Sequence, residues 1–242
     1  MSNQTSDNNK RIAKNTLFLY FRMLFMMAVS LYTSRVILNT LGIVDYGINN
    51  VVGGIIAMLG FLTYSLGAAS SRYITFDLGK GDMNVMKETF GNIKSIHYIL
   101  AVIILIIGET IGLWFMNNKL QIPENREFAA FWVYQLSILS SMIAVITVPY
   151  NATIIAHEKM SAFAYISIVD AILKLFIVYL LVVIPFDKLI VYSVLFFVIQ
   201  IFDQIVYFVY CYKNFLETHT KCRYNKILFK EIFSFAGWTM NG

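Results

Sequence analysis

The sequence predicts an all-α protein, a polytopic membrane bundle of six transmembrane helices followed by the start of a seventh. First, 58% of the 242 residues are hydrophobic, only 14% are charged, and the mean hydropathy is +0.66. Soluble domains have about 45–50% apolar and about 25% charged residues. Second, six apolar segments are each long enough to cross a hydrocarbon core about 30 Å thick as a helix.

We place the six spanning helices at 14–39, 46–70, 93–116, 128–153, 161–184 and 189–212. A seventh begins at 228 in LFKEIFSFAGWTMNG and is short, so we expect the chain to be part of a longer protein. The predicted organisation is an N-terminal tail, a six-helix lobe, a basic linker and the start of a second lobe, at 1–13, 14–212, 213–227 and 228–242.

Basic residues are divided unevenly between the two sides of the predicted bundle. The connections TLGIVDY, NNKLQIPENRE and PFDK hold only Lys119, Arg126 and Lys188. The other side holds Lys10, Arg11, Lys14, Arg72, Lys80, Lys87, Lys94, Lys159, Lys213, Lys221, Arg223, Lys226 and Lys230. Because positively charged connections stay in the cytoplasm, we expect the N-terminus to be cytoplasmic.

Two glycine-containing segments have more than one interpretation. The connection SSRYITFDLGKGDMNVMKETFGNIKS is either two helix extensions joined by a tight turn near Gly79 and Gly81, or a solvated loop. The second helix carries a stripe of small residues, Gly53, Ala57, Gly60 and Gly67. Such a stripe predicts close packing of helix backbones, and a hinge is the alternative.

Several charged and polar residues fall inside predicted helices. Asp170 lies eleven residues from Lys159 in the sequence, and Arg22 and Asp203 lie at similar depths. A rise of about 1.5 Å per residue places all three roughly 12–17 Å into the membrane. The sequence therefore predicts one polar layer near the midplane, made of Arg22, Asp170, Lys174, Gln200, Asp203 and Gln204.

A charge at the bilayer centre costs about 2.5–3.5 kcal/mol, so these groups must face protein or water. They either form a paired cluster that only holds the bundle together, or border a hydrated cavity. A polar face of the first helix, which includes Asn15, Arg22, Ser30 and Thr33, favours the cavity. The candidates for substrate binding are Arg22, Lys174, Gln200 and Asn50, and those for ion coupling or charge balance are Asp170 and Asp203.

The other polar residues favour structural roles. Arg35 lies near the far boundary, where it extends to the surface or pairs with Glu109. The three histidines lie near the basic boundary and are expected to be interfacial. We find no metal-ligand spacing or phosphate-binding glycine loop, so we expect no metal, no cofactor and no enzyme activity. The basic segment 213–230 predicts contact with anionic membrane lipids and not with nucleic acid.

Four motifs carry a family resemblance. The first helix leads into an R-x-x-L-x-x-L-G-x-x-x-Y-G pattern that starts at Arg35. It is followed, in order, by SSRYITFDLGKGD, VPYNATIIAHEKMSAFAYISI and LFKEIFSFAGW. The chain resembles polysaccharide exporters of the multidrug/oligosaccharidyl-lipid/polysaccharide (MOP) superfamily, and among them the O-antigen (Wzx-type) flippases.

The resemblance implies two lobes of six helices around a central cavity, with this chain as the N-terminal lobe. It implies transport of an undecaprenyl-diphosphate-linked oligosaccharide across the bacterial inner membrane for surface polysaccharide and lipopolysaccharide synthesis. Arg22 and Lys174 would hold the diphosphate, while Asp170 and Asp203 would bind a coupling proton or sodium ion. The expected partners are this lipid-linked oligosaccharide, membrane lipids and polysaccharide polymerase machinery. The alternatives are a cation-coupled multidrug exporter of the same superfamily and a non-transporting membrane scaffold.

Overall fold

The computed structural model describes residues 2–58 and 60–241, and these ranges contain helices and no strand, which confirms the predicted all-α membrane bundle. The α-helices are α1 Ser2–Ala57, α2 Gly60–Lys80, α3 Met83–Ile107, α4 Leu113–Lys119, α5 Glu127–Ala156, α6 Met160–Val183, α7 Lys188–Asn214 and α8 Lys226–Asn241. A π-helical segment, Gly108–Gly112, joins α3 to α4, and short 3-10 helices lie at Glu124–Arg126 and Leu216–His219.

The long helix α1 folds back on itself at Gly42. This residue has φ 79° and ψ 170°, a conformation that residues with a β-carbon rarely adopt. Beyond the bend, Asp45 pairs with Arg126 at the start of α5, and Gly67 of α2 approaches Val148 further along α5. The chain after the bend therefore runs beside α5 and in the same direction.

The part of α1 before the bend runs beside α6. The guanidinium of Arg22 donates to Ser167 near the start of α6, and Tyr32 meets Tyr179 near its end. Because α6 returns from α5 after a three-residue connection, the two parts of α1 are antiparallel. Within the described ranges, five helices are long and apolar enough to cross a membrane. The first of them, α1, makes the first pass and begins the second, which α2 completes, so the described chain crosses the bundle six times.

The predicted second helix at 46–70 is wrong as a continuous element, because its residues are divided between the end of α1 and α2. The small-residue stripe also behaves differently from its main interpretation. A β-carbon at Gly53 or Gly60 would meet no atom within 4 Å, whereas one at Gly67 would lie 3.3 Å from Val148 Cγ1. Close packing is therefore found only at Gly67, and the other two glycines leave space.

The connection between α2 and α3 is a tight turn between two helix extensions, so the solvated-loop alternative is wrong. The helix α2 continues to Lys80, Gly81 has φ 73°, and the Asp82 carboxylate caps the first turn of α3. The buried carboxylate of Asp77 joins the two helices, because it accepts hydrogen bonds from Thr89 Oγ1 at 2.6 Å and Lys80 Nζ at 2.8 Å.

The π-helical segment packs tightly against α5. Tyr134, which is fully buried, donates its hydroxyl hydrogen to the carbonyl oxygen of Gly108 at 2.6 Å. The same hydroxyl occupies the space that a β-carbon of Gly112 would need, and a β-carbon at Gly108 would lie 2.8 Å from Ile138 Cδ1. Both glycines are therefore required by the approach of α5.

We expect Gly112→Ala to lower the free energy of unfolding by about 1–3 kcal/mol, the usual range for overpacking a core. Thermal unfolding in detergent, followed by size-exclusion chromatography, measures the effect. Gly54→Ala is the matched control, because a β-carbon there meets no atom within 4 Å. In a Tyr134→Phe background the obstructing oxygen is absent, so Gly112→Ala should cost less. An equal cost in both backgrounds would contradict this explanation.

The segment after α7, predicted as a linker, lies against α3. The backbone N–H of Arg223 donates to the carbonyl of Gly91 at 3.1 Å, and Ser95 Oγ donates to the carbonyl of Arg223 at 2.7 Å. The backbone N–H of Asn225 donates to Asn92 Oδ1 at 2.6 Å. Hydrogen bonds to α3 therefore set the path of residues 223–225 into α8.

The three histidines are in different environments. His97 lies near the predicted boundary but is buried in the core and bonded through Nδ1 to the carbonyl of Ile93, so the expectation that it faces the interface is wrong. His219 is exposed, and His157 bonds through Nε2 to the buried carboxylate of Glu217 at 2.5 Å. Burial raises the pKa of Glu217, but the His157 hydrogen bond, a backbone hydrogen bond and the nearby charges of His157 and His219 together outweigh burial and hold this pKa below its usual value. This pair fixes the 3-10 turn after α7 against the end of α5.

Candidate functional site

A cavity of about 1050 Å³ lies between α1, α2, α5, α6 and α7, and we call it the central cavity. Three glycines of the small-residue stripe, Gly53, Gly60 and Gly67, line it on the second pass without side-chain bulk. Most of its polar lining is hydroxyl and amide groups, from Asn49, Thr63, Ser71, Ser137, Ser140, Ser141, Asn151, Ser193 and Gln200. The rest of the wall is apolar, with the aromatic rings of Tyr64, Phe163, Tyr192 and Phe196 and the aliphatic side chains of Ile56, Ala68, Leu136, Ala144, Val148, Ala152 and Ile155.

Arg22 is the charged residue among those that line the central cavity in the described part of the chain. Its Nε donates to Ser167 Oγ at 2.8 Å, and its guanidinium carbon lies 4.2 Å from the centre of the Phe163 ring. Ring and hydroxyl together hold the guanidinium plane in place. The two terminal nitrogens bond to no described protein group, so they can donate to an anion in the cavity.

Asp170 and Lys174 pair with each other on α6. Lys174 Nζ lies 2.8 Å from Asp170 Oδ2, as expected for residues four apart on a helix, and 5.2 Å from the ring centre of Phe196. The other oxygen, Asp170 Oδ1, is buried and receives no hydrogen bond from a described group. The carboxyl group of Asp203 on α7 is a neighbour, close enough to interact with both Asp170 and Lys174. This acid–base cluster therefore has two carboxyl groups for one ammonium.

Ser167 and Tyr207 connect Arg22 to the acid–base cluster, and the sequence analysis identified neither. The Ser167 hydroxyl accepts the Arg22 hydrogen bond, and the buried Tyr207 lies beside Ser167, within electrostatic reach of Arg22 and Asp203. Helical spacing is the signal that could have found them. Ser167 is three residues before Asp170, and Tyr207 is four residues after Asp203, so each lies on the polar face of its helix.

Of the other polar residues predicted for the site, one lines the central cavity and two do not. Gln200 lines the central cavity as predicted, whereas Asn50 is exposed and donates its amide to the carbonyl of Tyr46 at 2.8 Å. Its neighbour Asn49 lines the cavity instead. Gln204 accepts a hydrogen bond from Thr147 Oγ1, which joins α7 to α5 beside Asp203.

The predicted pair of Arg35 and Glu109 does not form in the described ranges, so that prediction is wrong. Arg35 is exposed on α1, which agrees with the alternative that it extends to the surface. Glu109 instead receives a hydrogen bond from Gln135 Nε2 at 3.3 Å. Arg35 is on the part of α1 before the bend, which lies beside α6, whereas the π-helical segment that carries Glu109 packs against α5.

A different ion cluster, which the sequence analysis missed, joins three connections at that end of the bundle. Arg126 donates through Nε to Asp45 Oδ1 at 2.8 Å and through Nη1 to Asp187 Oδ2 at 2.5 Å. Asp187 also caps α7. Burial raises the pKa of Asp187, but hydrogen bonds from Arg126 and from the start of α7 outweigh it and lower this pKa below its usual value. We call this group the three-loop ion cluster.

No protein-family model matches this chain, and no curated protein matches it in sequence. In structure it is similar to a MOP superfamily transporter from Pyrococcus furiosus Vc1, with a TM-score of 0.67 and 17% sequence identity. The match covers 92% of this chain and 51% of that transporter, so this chain spans about half of its length. The reverse polarity of that transporter's binding pocket is described as suggesting a different function. The likeness shows that this chain has the fold of half of a MOP superfamily transporter.

Proposed function

We propose that this chain is the N-terminal lobe of a flippase that moves an undecaprenyl-diphosphate-linked oligosaccharide across the bacterial inner membrane, with its N-terminus in the cytoplasm. The observation that carries the proposal is the central cavity, which combines uncharged hydroxyl and amide groups on a largely apolar wall with one cation among its described lining residues, Arg22. The similarity to a transporter fold supports a transport role. The chemical nature of the cargo is inferred from the lining.

The lining suits a carbohydrate. Sugar hydroxyl groups both donate and accept hydrogen bonds, and the serine, threonine, asparagine and glutamine side chains of the cavity offer both functions. The rings of Tyr64 and Tyr192 offer flat apolar surfaces for the carbon faces of a sugar ring. A volume of about 1050 Å³ exceeds what side chains of a closed bundle would leave, which argues against a scaffold with no cargo.

Arg22 suits the diphosphate of the same cargo. A guanidinium fork matches a phosphate with two parallel hydrogen bonds, and the terminal nitrogens of Arg22 have no competing partner among the described groups. Lys174 contributes less to this role than the sequence suggests, because it is already paired with Asp170. A cationic drug would be repelled by Arg22, so the multidrug-exporter alternative is less well supported.

The acid–base cluster suits the coupling ion. Two carboxyl groups that share one ammonium leave a net negative site, which a proton or a sodium ion can neutralise. Ser167 and Tyr207 lie between this site and Arg22, so the charge of the cluster acts on the guanidinium through groups in contact. We propose that ion binding at Asp170 and Asp203 changes the hold of Arg22 on the cargo.

Complementation tests the proposed function. The full-length protein that contains this chain is expressed in a strain whose lipid-linked oligosaccharide flippase has been deleted, and surface polysaccharide is measured. We expect restored polysaccharide with the intact protein and loss with Asp203→Asn, while Arg35→Gln, a change at an exposed cation, has no effect. Correct membrane insertion without restored polysaccharide in strains that supply several different oligosaccharides would overturn the proposal.

A further inference from the structure

The segment that follows α7 crosses α3 in direct contact at Gly91. A β-carbon on Gly91 would lie 2.9 Å from the carbonyl oxygen of Lys221 and 3.1 Å from Cβ and Cγ of Arg223. Backbone and side-chain stem therefore fill the space that the glycine leaves. This contact fixes the position of Arg223 and Lys221 on α3, whereas basic residues in a mobile linker would have no fixed position.

The two sides of this crossing differ in chemistry. With about 100° per residue, Glu88, Asn92 and Ser95 lie on one side of Gly91, and Lys87 and Lys94 lie on the other. The first three bind the crossing segment through Asn225 and Arg223. Lys87 and Lys94 take no part in those hydrogen bonds. They lie on one stripe of α3, about 10 Å apart along the axis, beside the segment.

Four cations therefore meet at this crossing, Lys87, Lys94, Lys221 and Arg223. None of them forms an ion pair with an acid of the described residues. The nearest acid on α3 is Glu88, whose carboxylate accepts the Asn225 amide at 2.8 Å on the opposite side of the crossing. An uncompensated charge of this size held on a fixed backbone attracts an anion.

The membrane-facing surroundings of the four cations indicate which kind of anion binds there. The unbroken apolar run of α3 begins at Ile99, just over one helical turn after Lys94, so the cations lie at the boundary of the membrane. Tyr98 and Tyr224, next to this site, are exposed, and exposed tyrosines are typical of the lipid headgroup level. We propose that Lys87, Lys94, Lys221 and Arg223 form a binding site for the phosphate-bearing headgroup of an anionic phospholipid in the leaflet that the charge asymmetry predicts to be cytoplasmic.

Native mass spectrometry of the full chain tests this site. The protein, purified in a neutral detergent, is incubated with phosphatidylglycerol or with phosphatidylcholine, and the lipid retained per protein molecule is measured. We expect selective retention of phosphatidylglycerol, reduced about fivefold for each cation replaced by glutamine. The variant with all four replaced should retain no more phosphatidylglycerol than phosphatidylcholine.

The matched control removes the same charge from the same side of the bundle, at exposed lysines away from the crossing: Lys14, Lys159, Lys213 and Lys230, each changed to glutamine. It should keep the selectivity, and equal loss in both quadruple variants would overturn the proposal. Inorganic phosphate should compete weakly, because it lacks acyl chains. Complete displacement of the lipid by phosphate at equal concentration would show a simple anion site and overturn the lipid assignment.

A second variant, which keeps all four cations, tests whether the contact between α3 and the segment after α7 assembles the site. Gly91→Ala displaces the segment and so separates Lys221 and Arg223 from Lys87 and Lys94. We expect several-fold lower phosphatidylglycerol retention, whereas Gly79→Ala, where a β-carbon meets no atom within 4 Å, should retain it fully. Unchanged retention in a folded Gly91→Ala protein would contradict a site assembled from both elements.

Discussion

Replacing Arg22 with alanine is expected to reduce transport by the full-length protein at least about tenfold. A hydrogen bond to a charged group contributes about 1.5–3 kcal/mol, and about 1.4 kcal/mol corresponds to a factor of ten. Arg22 is the cation among the described residues that line the central cavity, so another lining residue cannot replace its charge. Translocation of a lipid-linked oligosaccharide in proteoliposomes, measured by access of an external enzyme to the sugar, gives the rate.

Conservative variants separate the charge of Arg22 from its geometry. Arg22→Lys keeps the charge but loses the planar fork and the Nε bond to Ser167, so we expect an intermediate rate. Ser167→Ala keeps Arg22 but releases its Nε, and a smaller loss is expected. Arg35→Ala is the control, since this arginine is exposed on the same helix. Wild-type rates in both Arg22 variants would rule out a role for this cation in cargo binding.

Replacing Arg126 with alanine is expected to lower the free energy of unfolding by about 2–3 kcal/mol. Breaking a buried ion pair costs about 3–5 kcal/mol, because the remaining partner stays unpaired, and solvent screening reduces this value where the groups are partly exposed. The Arg126 side chain is 20% exposed, and its partners Asp45 and Asp187 are 17% and 33% exposed. Thermal unfolding in detergent measures the loss.

The pH dependence of the same variant provides a second measurement. The pKa of Asp187 is lower in the folded protein than in the unfolded chain. Its stabilisation is therefore complete above the pKa of the unfolded carboxyl and is lost as the pH falls through the lowered value. Arg126→Ala should show a smaller decrease in stability on acidification. Lys119→Ala, a change at an exposed cation at the end of α4, is the control, and an equal effect there would point to net charge alone.

Hydropathy was sufficient to predict the number of passes, because each apolar run has the length that a bilayer requires. It could not predict that one residue makes the first turn. The segment TLGIVDY reads as a short loop, yet the backbone stays helical up to Leu41 and resumes directly after Gly42. A single positive φ at a glycine reverses the chain, and sequence spacing does not reveal which glycine of several will adopt it.

The candidate site was predictable where the signal is local. Lys174 and Asp170 are four residues apart on one helix, so their pairing follows from helical geometry. Arg126 and its two aspartates are far apart in sequence and lie in connections, where no periodicity indicates a partner. The role of each glycine in the small-residue stripe could not be predicted from its spacing. Gly67 makes a close helix contact and Gly53 lies in an open cavity wall, and only the position of the neighbouring helices decides between the two roles.

The fastening of the segment after α7 has a mechanical consequence for α8. This helix is tied to the bundle just before its beginning, where Asn225 contacts α3, and again near its middle, where the Phe235 ring packs edge-on against Tyr73 and lies under the guanidinium of Arg72. It therefore travels with α2 and α3 as one rigid unit. Residues 220–225 do not act as a pivot, so stiffening them with a crosslink should leave any motion of this bundle unchanged.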